Sequence, residues 1–218
     1  MKNVRVWFKK DFECRYISHL DLNRCMLRAV HKSKIPVWHT EGFNPHPFIT
    51  FALPLSLGFR GERETMDMRL TEDFDFEEIV KRLNTCLPNG IRVFDVTEPV
   101  LKPGKIAFAL FDIKLKSDSM TPANLCSELN GLFAQEEIII DKKTKSGIKE
   151  INIKPYLSDY SLSANDEYVH LSIKLPAGSQ ENVNPTLILN AAEKYLDKEI
   201  YSDITRLDIL TEEESPFE

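Results

Sequence analysis

The sequence predicts an α+β protein made of two similar halves, and two observations predict it. Apolar residues in the first part of the chain recur with the period of a strand, then of a helix, two strands, a second helix and a further strand. Beyond a proline-rich linker at residues 98–104 (EPVLKPG), much of that order recurs. Strand, helix, strand, strand, helix, strand is the ferredoxin-like (βαββαβ) arrangement, so the chain is expected to hold two tandem ferredoxin-like halves, the second degenerate with an extra hairpin. Only the order repeats, with no sequence repeat beneath it. The halves are assigned to residues 1–100 and 101–210, and the acidic end 211–218 (TEEESPFE) is expected to be a disordered tail.

Each element has a local reason. Residues 4–8 (VRVWF) put Val4, Val6 and Phe8 on one face of a strand. Ser18 followed by Asp21 is a capping pattern, and Leu20, Leu22, Met26, Ala29 and Val30 then keep helical spacing to about Ser33. A short extended piece at 35–38 and a longer strand at 48–53 flank the turn GFNPHP, where Pro45 and Pro47 fix their own φ and bias Asn44 and His46 toward extended backbone. Residues 65–70 (TMDMRL) alternate as a strand, 74–87 form an amphipathic helix stopped by Pro88, Asn89 and Gly90, and 91–96 close the first half. In the second half, strands are expected at 107–115, 137–141 and 201–210, extended pieces at 148–155 and 168–175, and a turn at 142–147 (KKTKSG). Helices are expected to open near Thr121 and Pro122 and to span 185–196.

Composition narrows the class. With 42% hydrophobic and 28% charged residues the chain reads as a globular protein. No run approaches the roughly 18 apolar residues of a membrane span and the start lacks the apolar core of a signal peptide, so no membrane association and a cytoplasmic location are expected. The four cysteines have no metal-ligand spacing, and no cofactor or resident metal is expected. The net charge of −6 is uneven: up to Arg63 eleven Lys/Arg face five Asp/Glu, a balance of +6 that leaves −12 for the remainder. Such polarity suggests an anionic partner for the first third of the chain.

The candidate binding residues lie in that basic part. Asp21, Arg24, Arg28 and Lys32 are spaced to form one stripe of the first helix, which is either a solvated face or a row for phosphates. The GFNPHP turn offers Phe43, Asn44 and His46 on a backbone set by Gly42, Pro45 and Pro47. Trp7, out of phase with Val6 and Phe8, is the candidate for stacking on a base. Ser18 and Asp21 read as a capping box rather than a catalytic pair, whereas His19 has no structural duty. His19 and His46, with Asp21 beside them, are catalytic candidates for acid–base cleavage of RNA, and His19, Asp21, His39 and His46 are a conceivable metal set that matches no short metal motif.

The runs YISHLDLNRCMLRA (16–29), IPV (35–37) and GFNPHPFITFALPLSLG (42–58), with Glu64, resemble the radical-SAM-linked protein family, a bacterial domain of unknown function. The resemblance extends over most of the first two hundred residues, and its specific motifs lie in the first 70 or so. In that family the domain stands alone or is fused behind a radical SAM protein with a cobalamin-binding-like region, and it tends to be encoded near a ribonuclease of the E/G type and large-subunit ribosomal proteins. The resemblance therefore implies a link to RNA or ribosome metabolism and a radical SAM protein as partner. It marks Ser18, His19, Leu20, Asp21, Arg24, Arg28 and the whole GFNPHP turn as family-typical. The chain lacks the three-cysteine cluster motif, so it is expected to be the companion rather than the enzyme. At the level of fold alone, the tandem reading is similar to the RNA-processing endoribonucleases of CRISPR systems. The function expected is an RNA-binding accessory that presents tRNA or rRNA to the radical SAM partner. Two alternatives stand beside it: a metal-independent endoribonuclease using His19 and His46, and a protein-only scaffold whose acidic second half docks the partner.

Overall fold

Alternation at the start of the chain becomes β1 (Lys2–Lys10), whose Val4, Val6 and Phe8 are buried on one face. The computed structural model describes residues 1–144 and 147–218. The centre of the turn expected at KKTKSG, Lys145 and Ser146, lies outside the described residues. The protein is mixed α+β, with four α-helices and mostly antiparallel strand pairing among the described residues. It divides into two units, Met1–Ile106 with Ser215–Glu218, and Ala107–Glu214.

In the first unit, helix α1 (His19–Ser33) starts where Ser18 accepts the Asp21 N–H and ends at Lys34, which adopts a left-handed φ of 56°. It buries Leu22, Met26, Ala29 and Val30; Leu20, read above as part of that apolar face, points to solvent. β2 (Ile49–Phe51), β3 (Arg60–Leu70), α2 (Phe76–Cys86) and β4 (Ile91–Thr97) follow. β1 lies between β4 and β3, and β2 pairs with β3, giving the order β4-β1-β3-β2. Met66 is opposite Val6 on one side and Phe51 on the other, and Met68 is opposite Val4 and Ile49. This apolar face meets Met26 and Val30 of α1 and Ile79 and Leu83 of α2 in one core cluster. Each such side chain contributes about 1.5–3 kcal/mol through burial. β3 begins at Arg60 rather than Thr65, because β1 continues to Lys10 and pairs it with Gly61.

The other face of β1 departs from expectation. Arg5 is 0% exposed, and its guanidinium reaches both Asp67 carboxylate oxygens at 2.7 and 2.8 Å and the Leu101 carbonyl at 2.9 Å. The Phe217 ring lies 4.2 Å from Arg5 Cζ and is itself fully buried, while Leu101 N–H donates to the Glu218 carbonyl at 2.6 Å. Of the tail expected to be disordered at 211–218, Thr211 ends β10 and Ser215–Glu218 belong to the first unit, held there because a buried guanidinium face accepts the Phe217 ring. Trp7 is corrected on the same ground. It is only 3% exposed, its indole N–H donates to Thr97 Oγ1 at 2.9 Å, and Arg63 covers its ring at 4.7 Å, so no free face remains for a base.

The second unit contains β5 (Ile106–Lys116), α3 (Pro122–Phe133), β6 (Ile139–Thr144), β7 (Gly147–Asn152), β8 (Tyr160–Ala164), β9 (Val169–Pro176), α4 (Thr186–Leu196) and β10 (Tyr201–Thr211). Thr121 caps α3 by accepting the Asn124 N–H. The strands run β10-β5-β9-β8, with β6 and β7 forming a separate hairpin. β8 has no counterpart in the sequence reading: most of its side chains stay exposed, so it lacks the apolar alternation that marks β9. Among the described residues no helix is long and apolar enough to cross a membrane.

Candidate nucleic-acid interface

The first-helix stripe forms as the spacing requires. Asp21, Arg24, Arg28 and Lys32 are all exposed. Ser18 Oγ donates to Asp21 Oδ2 at 2.7 Å and accepts the Asp21 N–H at 3.1 Å, so one hydroxyl both caps the helix and orients the carboxylate. That bond, reinforced by Arg24 at 3.1 Å, holds the Asp21 carboxyl below the usual carboxylate range. Arg28 and Lys32 form no ion pair among the described residues. Their charges remain available on a face whose one acid is already engaged by Ser18 and Arg24.

The GFNPHP turn is the tip of a short hairpin. Trp38 O accepts the Phe48 N–H at 2.9 Å, His46 O accepts the Thr40 N–H at 2.9 Å, and His39 bridges to Pro47. Gly42 turns the chain at φ 123°, with open space around the position of a Cβ, so the backbone angle rather than crowding calls for glycine. His46 Nδ1 lies 3.0 Å from the Asn44 carbonyl and 3.2 Å from Thr40 Oγ1. A carbonyl only accepts, which puts the proton on Nδ1 and turns Nε2 outward. Phe43 is 105% exposed at the tip, beside exposed Asn44 and Pro45, whereas Pro47 is buried at the base. Trp38 and Phe48 meet edge to face at 5.5 Å, and the Arg69 guanidinium covers both, at 5.3 and 5.5 Å. The frame is stiff and the tip is bare.

His19 stands elsewhere. Its half-buried ring meets Phe51 edge to face at 5.1 Å, and its Nδ1 is buried with no hydrogen-bond partner among the described residues. Burial, and then the nearby Lys10 ammonium, pull its pKa below the usual imidazole value. Lys10 is itself buried against the Arg15 and Ile17 carbonyls, each 3.3 Å from its Nζ. No hydrogen bond or ring contact joins His19 to His46. Among the described residues no three His, Cys, Asp or Glu side chains gather to hold a metal, so the His19, Asp21, His39 and His46 set forms no cluster. His39 instead bonds the Val37 carbonyl at 3.0 Å.

The sequence reading overlooked Tyr16. It is exposed at the end of a 3-10 turn (Phe12–Tyr16), with the Arg15 guanidinium 5.3 Å from its ring, immediately before the α1 cap. A single turn carries no periodic signal that could have flagged it.

Fold and surface together define an α+β protein of two units whose first unit carries an exposed basic helix row and a stiff hairpin. The family described as "Uncharacterized protein conserved in bacteria (DUF2344)" matches residues 3–185, and the chain belongs to it. Both the α1 stripe and the GFNPHP hairpin fall inside that span. Among curated proteins none matches the chain.

Proposed function

We propose that the first unit binds RNA through the α1 row and the GFNPHP hairpin, and that the chain is an accessory presenting tRNA or rRNA to a radical SAM partner. The observation that carries the RNA part is the exposed row Arg24, Arg28, Lys32, of which Arg28 and Lys32 pair with no acid among the described residues. An arginine fork matches phosphate oxygens bidentately, and helical spacing sets the cations about one turn apart. Phe43, bare on a hairpin tip locked at its base, adds an aromatic face at the end of the chain segment that leaves α1. The partner rests on the motif resemblance alone.

We read the two units as tandem ferredoxin-like halves. The orders β4-β1-β3-β2 and β10-β5-β9-β8 support this, since each sets the unit's first strand between its last strand and the strand before its second helix.

Filter binding of tRNA and rRNA fragments across a salt series tests the RNA part. Replacing Arg24, Arg28 and Lys32 with Ala should weaken retention and reduce the slope of log affinity against log salt by roughly two to three. Equal affinity and slope in the triple variant would remove the surface. Co-purification of the radical SAM protein with the full chain, before and after ribonuclease treatment, tests the partner. A complex that survives ribonuclease and ignores the triple substitution would shift the reading to a protein-only scaffold.

A further inference from the structure

A second feature of the first unit is a cleft of about 450 Å³ at the end of the sheet, lined by Lys9, Phe12, Asn84, Asn89, Gly90 and Arg92 among others. That volume lies within the range of small-ligand sites, roughly 300–1,000 Å³. Phe12 gives it its character. This residue sits at φ 46°, a left-handed backbone that costs a bulky side chain roughly 1–2 kcal/mol and that glycine or asparagine adopts more easily. Its neighbours over-determine the conformation. Asp11 Oδ1 accepts the Phe12 N–H at 2.7 Å and lies 3.2 Å from Arg60 Nε in an ion pair, and Asp11 N–H donates to the Gly90 carbonyl at 2.7 Å. The opposite wall is equally constrained, because a Cβ on Gly90 would come within 2.7 Å of the Asp11 carbonyl. The outcome of this strained junction is an aromatic ring held 61% exposed at the mouth of a cleft. Folding alone gives no reason for a phenylalanine there.

The charges over the cleft are uneven. Lys9 pairs with Glu62, and Asp11 with Arg60. Arg92, exposed on β4, makes no ion pair, hydrogen bond or ring contact with its side chain among the described residues. Asn84 is committed on both sides of its amide to the Val93 backbone, which fixes that wall. An open aromatic face and an unpaired guanidinium lining one cleft are the chemistry that holds a nucleotide, with the base stacked and the phosphate paired.

We infer that this cleft holds one nucleotide of a single-stranded RNA segment, with the base on Phe12 and the phosphate on Arg92; this rests on the RNA reading above and specifies the form of the RNA. Phe12 of the cleft precedes the start of α1 in the chain, and the hairpin follows the end of that helix. Arg15 and exposed Tyr16 lie between Phe12 and the α1 cap.

The test uses the full chain and fluorescence anisotropy of a labelled single-stranded oligoribonucleotide and of the same sequence as a duplex. Phe12→Gly removes the ring while relieving the left-handed strain, so its melting temperature should equal or exceed that of the unaltered protein. Its affinity for the single strand should fall at least about fivefold, with the salt slope unchanged and the duplex little affected. Phe12→Tyr should keep binding. Arg92→Gln should weaken the single strand and lower its salt slope by roughly 0.7. Single-strand affinity unchanged in both Phe12→Gly and Arg92→Gln would overturn the inference, as would an equal loss on the duplex. If those variants bind normally while the Arg24, Arg28, Lys32 triple variant does not, the cleft fails and the helix surface survives. No retention of any RNA by the unaltered protein removes both. Efficient displacement of the strand by adenosine monophosphate would show a site for free nucleotides and overturn the strand-binding form.

Discussion

The two units share a strand plan and differ in what they show to solvent. Each sets its first strand second in line, in β4-β1-β3-β2 and β10-β5-β9-β8, and each opens its first helix on a hydroxyl cap, Ser18 in one and Thr121 in the other. Their charges diverge. The first unit holds seventeen Lys/Arg and fifteen Asp/Glu, the second eleven and nineteen, so one is +2 and the other −8. Helix α1 presents Arg24, Arg28 and Lys32, whereas its counterpart α3 (PANLCSELNGLF) contains no Lys or Arg. The lesson is that the strand plan does not decide the surface; the Arg24, Arg28, Lys32 row of α1 has no counterpart on α3, and a site has to be argued from that surface.

The comparison can be broken or sharpened by substitution, starting with the cores. Arg5→Met leaves the Asp67 carboxylate without its bidentate partner and the Phe217 ring without its cation, and should cost the first unit about 3 kcal/mol. Leu129→Ala, from the fully buried face of α3, should cost the second unit about the same. Urea titration followed by amide exchange checks both. Protection lost first in β1 and β3 for Arg5→Met, and in β5 and β9 for Leu129→Ala, would show units that open separately, and one common transition in both variants would show a single cooperative fold.

Smaller effects separate the helix starts. Ser18→Ala and Thr121→Ala should each lower stability by about 1 kcal/mol. Only Ser18→Ala should also free the Asp21 carboxylate and raise its pKa toward the ordinary range, a change readable by NMR titration. An unmoved Asp21 would mean that the arginines Arg24 and Arg28 hold it down without the hydroxyl.

The smallest effect is on pH dependence. Folding lowers the His19 pKa, so between the ordinary imidazole value of about 6.5 and that lowered value the unfolded chain binds a proton the folded chain does not. Stability should therefore fall as pH drops through this window, with no further loss from His19 below it. His19→Phe keeps an aromatic ring against Phe51 and should flatten this part of the profile. A profile identical to that of the unaltered protein would assign the effect to other groups.

How much was legible in advance follows the range of each signal. The α1 start could be read because a cap acts within three residues, and the stiffness of the GFNPHP turn because its two prolines fix their own φ. The arginine and lysine row was legible because helical spacing alone determines which residues share a stripe. Trp7, Phe12 and Phe217 were misjudged or passed over, since each depends on a partner distant in sequence or on a strained turn without periodicity. Trp7 disappears under Arg63 and Phe217 is held against Arg5, while Phe12 is pushed outward where Asp11 meets Gly90.

By itself, then, the sequence determined the α+β class, most helix and strand positions, and which basic residues share the α1 face, all consequences of local backbone preference and period. Only the tertiary structure decided the strand orders, the return of the last four residues to the first unit, and the separate surroundings of His19 and His46. The physical reason is that burial and long-range pairing are properties of the assembled sheet, where one face of β1 takes a buried arginine because Asp67 pairs with it, while the other takes valine.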